Sequence, residues 1–285
     1  MTIVSGDRSQ IARSDAESSG WVYKQKVMTR LTHWIWAVSL FFLLLSGLQI
    51  FNAHPTLYVG KQSGFEFDNA VLSMTGENTD AGPRGTTTIL GQTFDTSGWL
   101  GLSNVDGKPA ARGFPAWATI PSSQDLATGR VVHFFFAWLL VFTLLLWWIS
   151  SLINGHAWRE VTPGWRDLRR LPRDIVDHIR LRFHKTRDYN TLQKITYAGV
   201  LFGLFPLMIV TGLLMSPGMN AFAPWLVTII PRQTARTIHF CGMAALVLFF
   251  VVHIAMVFAA GPINEMRSII TGWYRTDRSS ATKED

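Results

Sequence analysis

The chain has 285 residues, 48% of them hydrophobic and only 16% charged, with 12 Trp and 19 Phe, a balance too apolar and aromatic for an ordinary soluble domain. Its formal net charge is +7, but the basic residues gather in two flanking segments instead of forming one face, which argues against a nucleic-acid site. The single cysteine, Cys241, rules out an intramolecular disulfide framework.

In chain order, residues 1–23 are polar, with scattered Ser and Gly, and read as a disordered tail without a cleavable signal peptide. Four stretches free of Asp, Glu, Lys and Arg follow: Leu31 to Phe51, Val131 to Asn154, Ile195 to Ile230 and Thr237 to Asn264. Each exceeds the roughly 20 residues that a helix needs to cross hydrocarbon at about 1.5 Å per residue. Pro217-Gly218 marks the expected stop of the third span. The expected helices are therefore 31–51, 131–154, 195–216 and 237–260, within a membrane domain of residues 24–275, with a short tail at 276–285. This predicts an all-α membrane protein, a bundle of four transmembrane helices with a long loop between helices 1 and 2.

Charge sets the orientation. Gly155 to Lys194 carries ten Lys/Arg against five acids, and the N-terminal segment adds Arg8, Arg13, Lys24, Lys26 and Arg30. The 52–129 link carries four Lys/Arg and seven acids, and the 216–234 link only Arg232. Basic excess marks the cytoplasmic side, so both termini and the 155–194 segment are expected inside and the other two links outside. The basic segment then suits anionic lipid. The 52–129 link holds 11 of the 23 glycines, with turn signals such as Gly82-Pro83 and Ile120-Pro121-Ser122 and a β-prone run at Thr86 to Leu90. It reads as an irregular cap with a hairpin, suited to docking a partner; a passive connection fits nearly as well.

Chemistry lies in the histidines. Of eight, only His33, His133, His239 and His253 fall in the apolar spans. A polar ionisable side chain inside a membrane helix is costly and points to function by default. His239 and His253 are 14 residues apart on the fourth helix, which at about 100° per residue puts both rings on one face, about 21 Å apart. The orientation places His133 and His239 at the outer level and His33 and His253 at the inner one. Two axial ligands of one metal stand only about 4 Å apart at the nitrogens, so the pairs are His133/His239 and His33/His253. A break of the fourth helix at Gly261-Pro262 would bring His253 closer to the depth of His33. Gly47, 14 residues after His33, shares its face at the outer level and leaves room for a flat macrocycle or for close helix packing. His54 reads as a turn residue, and His156, His178 and His184 as solvated. Gly199, Gly203 and Gly212 read as packing residues of the third helix.

The stretches Arg30-Leu31-Thr32-His33-Trp34, Gly129-Arg130-Val131-Val132-His133, Asp188-Tyr189-Asn190-Thr191-Leu192-Gln193-Lys194 and Thr211-Gly212, with His239 and His253, resemble the di-haem cytochrome b subunits of nickel-iron hydrogenases, formate dehydrogenases and thiosulfate reductases. The resemblance covers roughly residues 24–275. It implies two b haems whose iron is held by His33, His133, His239 and His253, and a quinone near Asn190 and, with it, Gln193; by residue type and position Asn190 is equally suited to cap the third helix. No C-x-x-C-H motif is present, so the haems would be held non-covalently. It further implies a multi-pass subunit of the bacterial inner membrane that links the quinone pool to an extracytoplasmic redox subunit of iron-sulfur, hydrogenase or molybdopterin type. Two other classes compete: a stand-alone oxidoreductase acting on a small molecule at the outer face, and a transporter using histidines for protons or metal. The spans contain no Asp or Glu, which counts against the transporter.

Overall fold

Backbone N–H and C=O groups find no partner in hydrocarbon, so an apolar stretch that crosses it must close its hydrogen bonds internally, as a helix does. The computed structural model, which describes residues 20–80, 82–105, 107–155, 161–180 and 189–276, contains four helical spans long and apolar enough to cross a membrane. Strand β1 (Trp21–Tyr23) leads into helix α1 (Val27–Asn52), the first span. Strands β2 (Thr56–Tyr58), β3 (Ala70–Thr79), β4 (Gly82–Ile89), β5 (Gln92–Asp95), β6 (Gly101–Val105) and β7 (Lys108–Arg112) follow. Helix α2 (Leu126–Ile153) is the second span, and α3 (Trp165–Ile179) lies between it and the third. The third span is composite: α4 (Thr191–Ala198), a π-helical stretch Gly199–Leu204 and α5 (Phe205–Met215). Short helices α6 (Pro217–Phe222) and α7 (Leu226–Ile229) precede α8 (Arg232–Ala260), the fourth span, and α9 (Pro262–Thr271) and β8 (Trp273–Arg275) complete the order.

Each span begins four or five residues before its apolar stretch. Helical hydrogen bonding continues through Arg30, Arg130, Lys194 and Arg236, because long cationic side chains can reach water from a helical backbone. The π-helical stretch ends just before Pro206, which has no N–H to donate and crowds the carbonyl one turn earlier. The break at Gly261-Pro262 is real: Gly261 has φ +112, a left-handed conformation that only glycine adopts readily, and Pro262 opens α9.

The chain forms two compact units. The first comprises the residues up to Trp34, Leu144–Gly203 and those from Val247 on; the second comprises Ile35–Thr143 and Leu204–Leu246. In the first, β1 pairs antiparallel with β8, so Trp21–Tyr23 is a strand although it falls at the edge of the stretch read as a disordered tail. Residues 1–19 and 277–285 of the two tails lie outside the described residues, as do His156 and His184. Helix α3 is tied to α4 by the Lys194–Asp167 ion pair at 3.1 Å and by the Thr191 N–H donating to Asp174 at 3.0 Å. The Gly164 N–H first, and then Lys194, hold the Asp167 carboxyl below the usual carboxylate range.

In the second unit the expectation of an all-α fold is corrected. The link between α1 and α2 folds as an antiparallel sheet in the order β2-β3-β4-β5 with a separate β6-β7 hairpin. Its strands are polar and rich in Thr, with cross-strand hydroxyl pairs Thr75–Thr86 (3.0 Å), Thr87–Thr96 (2.8 Å) and Thr88–Thr93 (2.9 Å). Such strands carry little apolar alternation, so only the hairpin signal is visible in the sequence. The hairpin packs closely on the sheet: a Cβ on Gly76 would lie 3.0 Å from that of Ala111, and Gly101, at φ +80, meets the backbone of Thr75 and Thr86. Phe51 at the end of α1 joins Leu57 and Met74 in a buried core, against which Phe114 and Phe240 pack.

The spans are polar inside and apolar outside. Ser39, Ser46, Gln49, Thr143, Ser151 and Thr211 are buried, whereas Val131 (70% exposed), Leu248 (65%) and Trp138 (64%) turn outward. In water this pattern would be untenable; against lipid it is expected, because small and hydroxyl residues let helices approach and apolar ones face the acyl chains. The chain is an integral membrane protein.

Arg112 at the end of β7 fastens the sheet region to α1. It is 1% exposed and donates to Gln49 Oε1 (3.0 Å), Thr119 Oγ1 (3.0 Å) and the Ser122 carbonyl (2.6 Å). Burial pulls its guanidinium below the ordinary arginine range. Arg112→Ala should lower stability by about 3 kcal/mol by leaving these acceptors unpaired. Limited proteolysis between residues 107 and 125 should accelerate, and an unchanged cleavage rate would show that the clamp carries no such weight.

Candidate functional site

Four helix ends place the histidines alike. His33 lies six residues inside the start of α1, and His133 and His239 lie seven inside the starts of α2 and α8. His253 lies seven residues before the end of α8, because the helix stops at Gly261. Each imidazole is thus about 10 Å, roughly two turns, inside its helix terminus.

The structure brings His33 together with His253 in the first unit and His133 together with His239 in the second. Ring centres are 6.3 Å apart in the first pair, with the planes inclined by 51°, and 6.4 Å apart in the second, inclined by 59°. These separations have a chemical meaning. A metal with bonds of about 2 Å to one nitrogen of each ring, and about 1 Å further to each ring centre, needs about 6 Å between centres. Direct stacking would bring the rings closer and coplanar. Among the described residues no cluster of three or more His, Cys, Asp or Glu could hold a metal. Two protein ligands facing each other suit a metal whose remaining positions come from a planar macrocycle.

The surroundings of the second pair decide which nitrogen is available. Ser46 Oγ donates to the Phe42 carbonyl at 2.6 Å, so its lone pairs are left to accept from His133 Nδ1 at 3.1 Å. Thr211 Oγ1 donates to the Leu207 carbonyl at 2.7 Å and meets His239 Nδ1 at 2.9 Å. Both imidazoles therefore carry their proton on Nδ1 and present Nε2 as a bare lone pair.

Glycine follows each hydroxyl. A Cβ on Gly47 would lie 3.3 Å from His133 Cε1, and one on Gly212 would lie 3.6 Å from His239 Cε1. Gly47 thus stands at the level of the His133/His239 pair, and Gly212, read from sequence as a packing residue, stands in the equivalent place. Ser46 and Thr211 were not singled out by their chemistry. The signal that could have found them is the repeated hydroxyl-glycine dipeptide, Ser46-Gly47 and Thr211-Gly212, within an apolar helix.

The first pair is furnished differently. His33 Nδ1 is buried with no hydrogen-bond partner among the described residues. Trp34 meets the His33 ring edge-on at 5.6 Å, and Phe249 stacks on His253 at 5.6 Å. Arg30, one turn before His33, donates to the Thr271 carbonyl at 3.1 Å. In the same unit Lys24 lies over Tyr274 at 4.4 Å, and Tyr189 is hydrogen-bonded to Gln25 at 2.8 Å.

His54 is exposed and joins neither pair; it stacks on Tyr58, and its carbonyl accepts from Arg236. Partial burial, and then the Arg236 guanidinium, hold its ring below the usual histidine range. Asn190 and Gln193 form a capping box at the start of α4, in which Asn190 Oδ1 accepts from the Gln193 N–H (2.9 Å) and Gln193 Oε1 from the Asn190 N–H (3.3 Å).

Residues 24–272 match the family described as prokaryotic cytochrome b561. Among curated proteins the chain is similar to the putative protein-methionine-sulfoxide reductase subunit YedZ1 of Azospira oryzae, 25% identical over 233 residues, which cover 80% of this chain and 86% of that relative.

The capping box yields a direct expectation. Asn190→Ala should lower thermal stability by about 1 kcal/mol, the usual loss of a side-chain cap. Melting that coincides with the parent protein would contradict the cap.

Proposed function

The chain belongs to the prokaryotic cytochrome b561 family, membrane proteins that bind b-type haem and carry electrons, and we propose that it holds two such haems and joins a quinone pool to a partner redox enzyme. One haem would be held by His33 and His253, the other by His133 and His239. The observation that carries this reading is the pairing of four intramembrane imidazoles into two facing couples, 6.3 and 6.4 Å between ring centres. A b haem would supply one-electron iron chemistry, and two imidazole ligands on its iron would favour electron transfer over oxygen chemistry. Nε2 of His133 and of His239 would be the ligating atoms, since Nδ1 of each is engaged. Gly47 and Gly212 would leave space beside the rings for the macrocycle.

The basic segments support cytoplasmic termini, so the sheet region between α1 and α2 would lie outside, on the surface available to a partner. The relative from Azospira oryzae is named as a subunit of a protein-methionine-sulfoxide reductase. That name supports a partner enzyme here, beside the hydrogenase, formate dehydrogenase and thiosulfate reductase partners implied by resemblance. Quinone would exchange on the cytoplasmic side near α4. There the capping box already employs the side-chain oxygens of Asn190 and Gln193; their assignment to quinone rests on resemblance.

Haem content tests the reading. The purified chain should carry two b haems, and His33→Ala, His133→Ala, His239→Ala and His253→Ala should each lose one, while His54→Ala loses none. Retention of both in His253→Ala, or a loss in His54→Ala, would break the pairing. Orientation is tested separately, by single cysteines placed in a background lacking Cys241. Those in residues 60–120 should react with an impermeant maleimide added to intact cells, and those in 161–180 should not. Reversed labelling would invert the assignment of sides.

A further inference from the structure

The hydroxyls beside His133 and His239 do more than fill space. Ser46 is fully buried and Thr211 is 1% exposed. Each spends its proton on a carbonyl of its own helix and turns its oxygen to a ring Nδ1, at 3.1 and 2.9 Å. An O–H that donates becomes a stronger acceptor, since hydrogen bonds in series polarise one another. An imidazole whose Nδ1–H is pulled in this way becomes a more basic ligand at Nε2. A more basic ligand favours the more positively charged, oxidised state of a bound iron. The same geometry fixes the ring tautomer and its rotation. His33 has no counterpart, because its Nδ1 is buried without a partner among the described residues.

Resting on the proposed haem reading, we propose that Ser46 and Thr211 are positioning residues that strengthen His133 and His239 as ligands and so lower the reduction potential of the haem held by that pair alone. The two haems are then electronically distinct because of hydroxyls supplied by α1 and α5, even though both have two histidine ligands. Removing either hydroxyl should move one haem and leave the other in place. Thr211→Val keeps the shape and removes the acceptor, Ser46→Ala removes it with little volume, and Thr211→Ser and Ser46→Thr retain it.

The experiment is a spectroscopic redox titration of the full haem-loaded chain, with haem counted in the same samples. Thr211→Val and Ser46→Ala should each shift one haem about tenfold toward the reduced form, in line with the usual weight of such outer partners; this corresponds to about 59 mV for a one-electron couple. The second haem should titrate as in the parent, and Thr211→Ser and Ser46→Thr should restore the parent curve. Two haems per chain with unmoved potentials in Thr211→Val and Ser46→Ala would overturn the inference. So would equal shifts of both haems, or a Thr211→Ser curve as displaced as that of Thr211→Val. Should Thr211→Val lose its haem, the Ser46 variants decide by the same criteria. A parent chain with fewer than two haems would instead sink the reading on which the inference rests.

Discussion

An imidazole inside hydrocarbon is destabilised wherever a nitrogen is answered neither by the protein nor by something the protein holds. Water is absent there, and an unsatisfied polar group costs several kcal/mol. His133 and His239 meet half of this demand through Ser46 and Thr211, at 3.1 and 2.9 Å. The other half falls on Nε2 of each, at a ring separation that fits a shared metal. This need explains why a hydroxyl residue sits fully buried in a span whose surface is Leu, Phe and Val. Gly47 stands beside the His133 ring, where a Cβ would lie only 3.3 Å from Cε1.

The helix ends serve the same demand. A ring two turns inside a terminus is deep enough to be dry yet close to groups that anchor the helix at the interface. Arg236 illustrates the anchoring, with its guanidinium over the Phe51 ring and a hydrogen bond to the His54 carbonyl. The Phe51, Leu57 and Met74 core and the Arg112 clamp then join the sheet region to the end of α1. Rigidity at that end matters because Ser46 and Gly47 lie less than two turns away on the same helix. In the other unit the α3–α4 contacts and the capping box fix the start of the third span.

Much of this was legible in the sequence, and the reasons are physical. Four uncharged stretches report the spans because hydrocarbon excludes charge. The 14-residue spacing of His239 and His253 reports a shared helical face because an α-helix nearly repeats over that interval. The levels that the orientation assigns to the four histidines give the same two couples that the structure brings together. The break at Gly261 was visible in the Gly-Pro dipeptide. Less visible were the strands of residues 56–112, whose Thr and Gly lack apolar alternation and whose pairing depends on partners distant in the chain. Ser46 and Thr211 were hidden for a different reason: a lone hydroxyl in a membrane helix can bond to its own helix carbonyl, and only the facing ring reveals a second use. The early helix starts are not legible in the sequence, because a charged residue ends a hydrophobic stretch before it ends a helix.

On the proposed reading each couple of imidazoles would hold one haem iron. Low-temperature electron paramagnetic resonance of the oxidised, purified chain tests it most directly, because axial ligation sets the spin state of ferric haem. Two low-spin bis-imidazole signals of equal intensity, together amounting to two haems per chain, are expected. A high-spin ferric signal, or low-spin intensity amounting to a single haem, would contradict it.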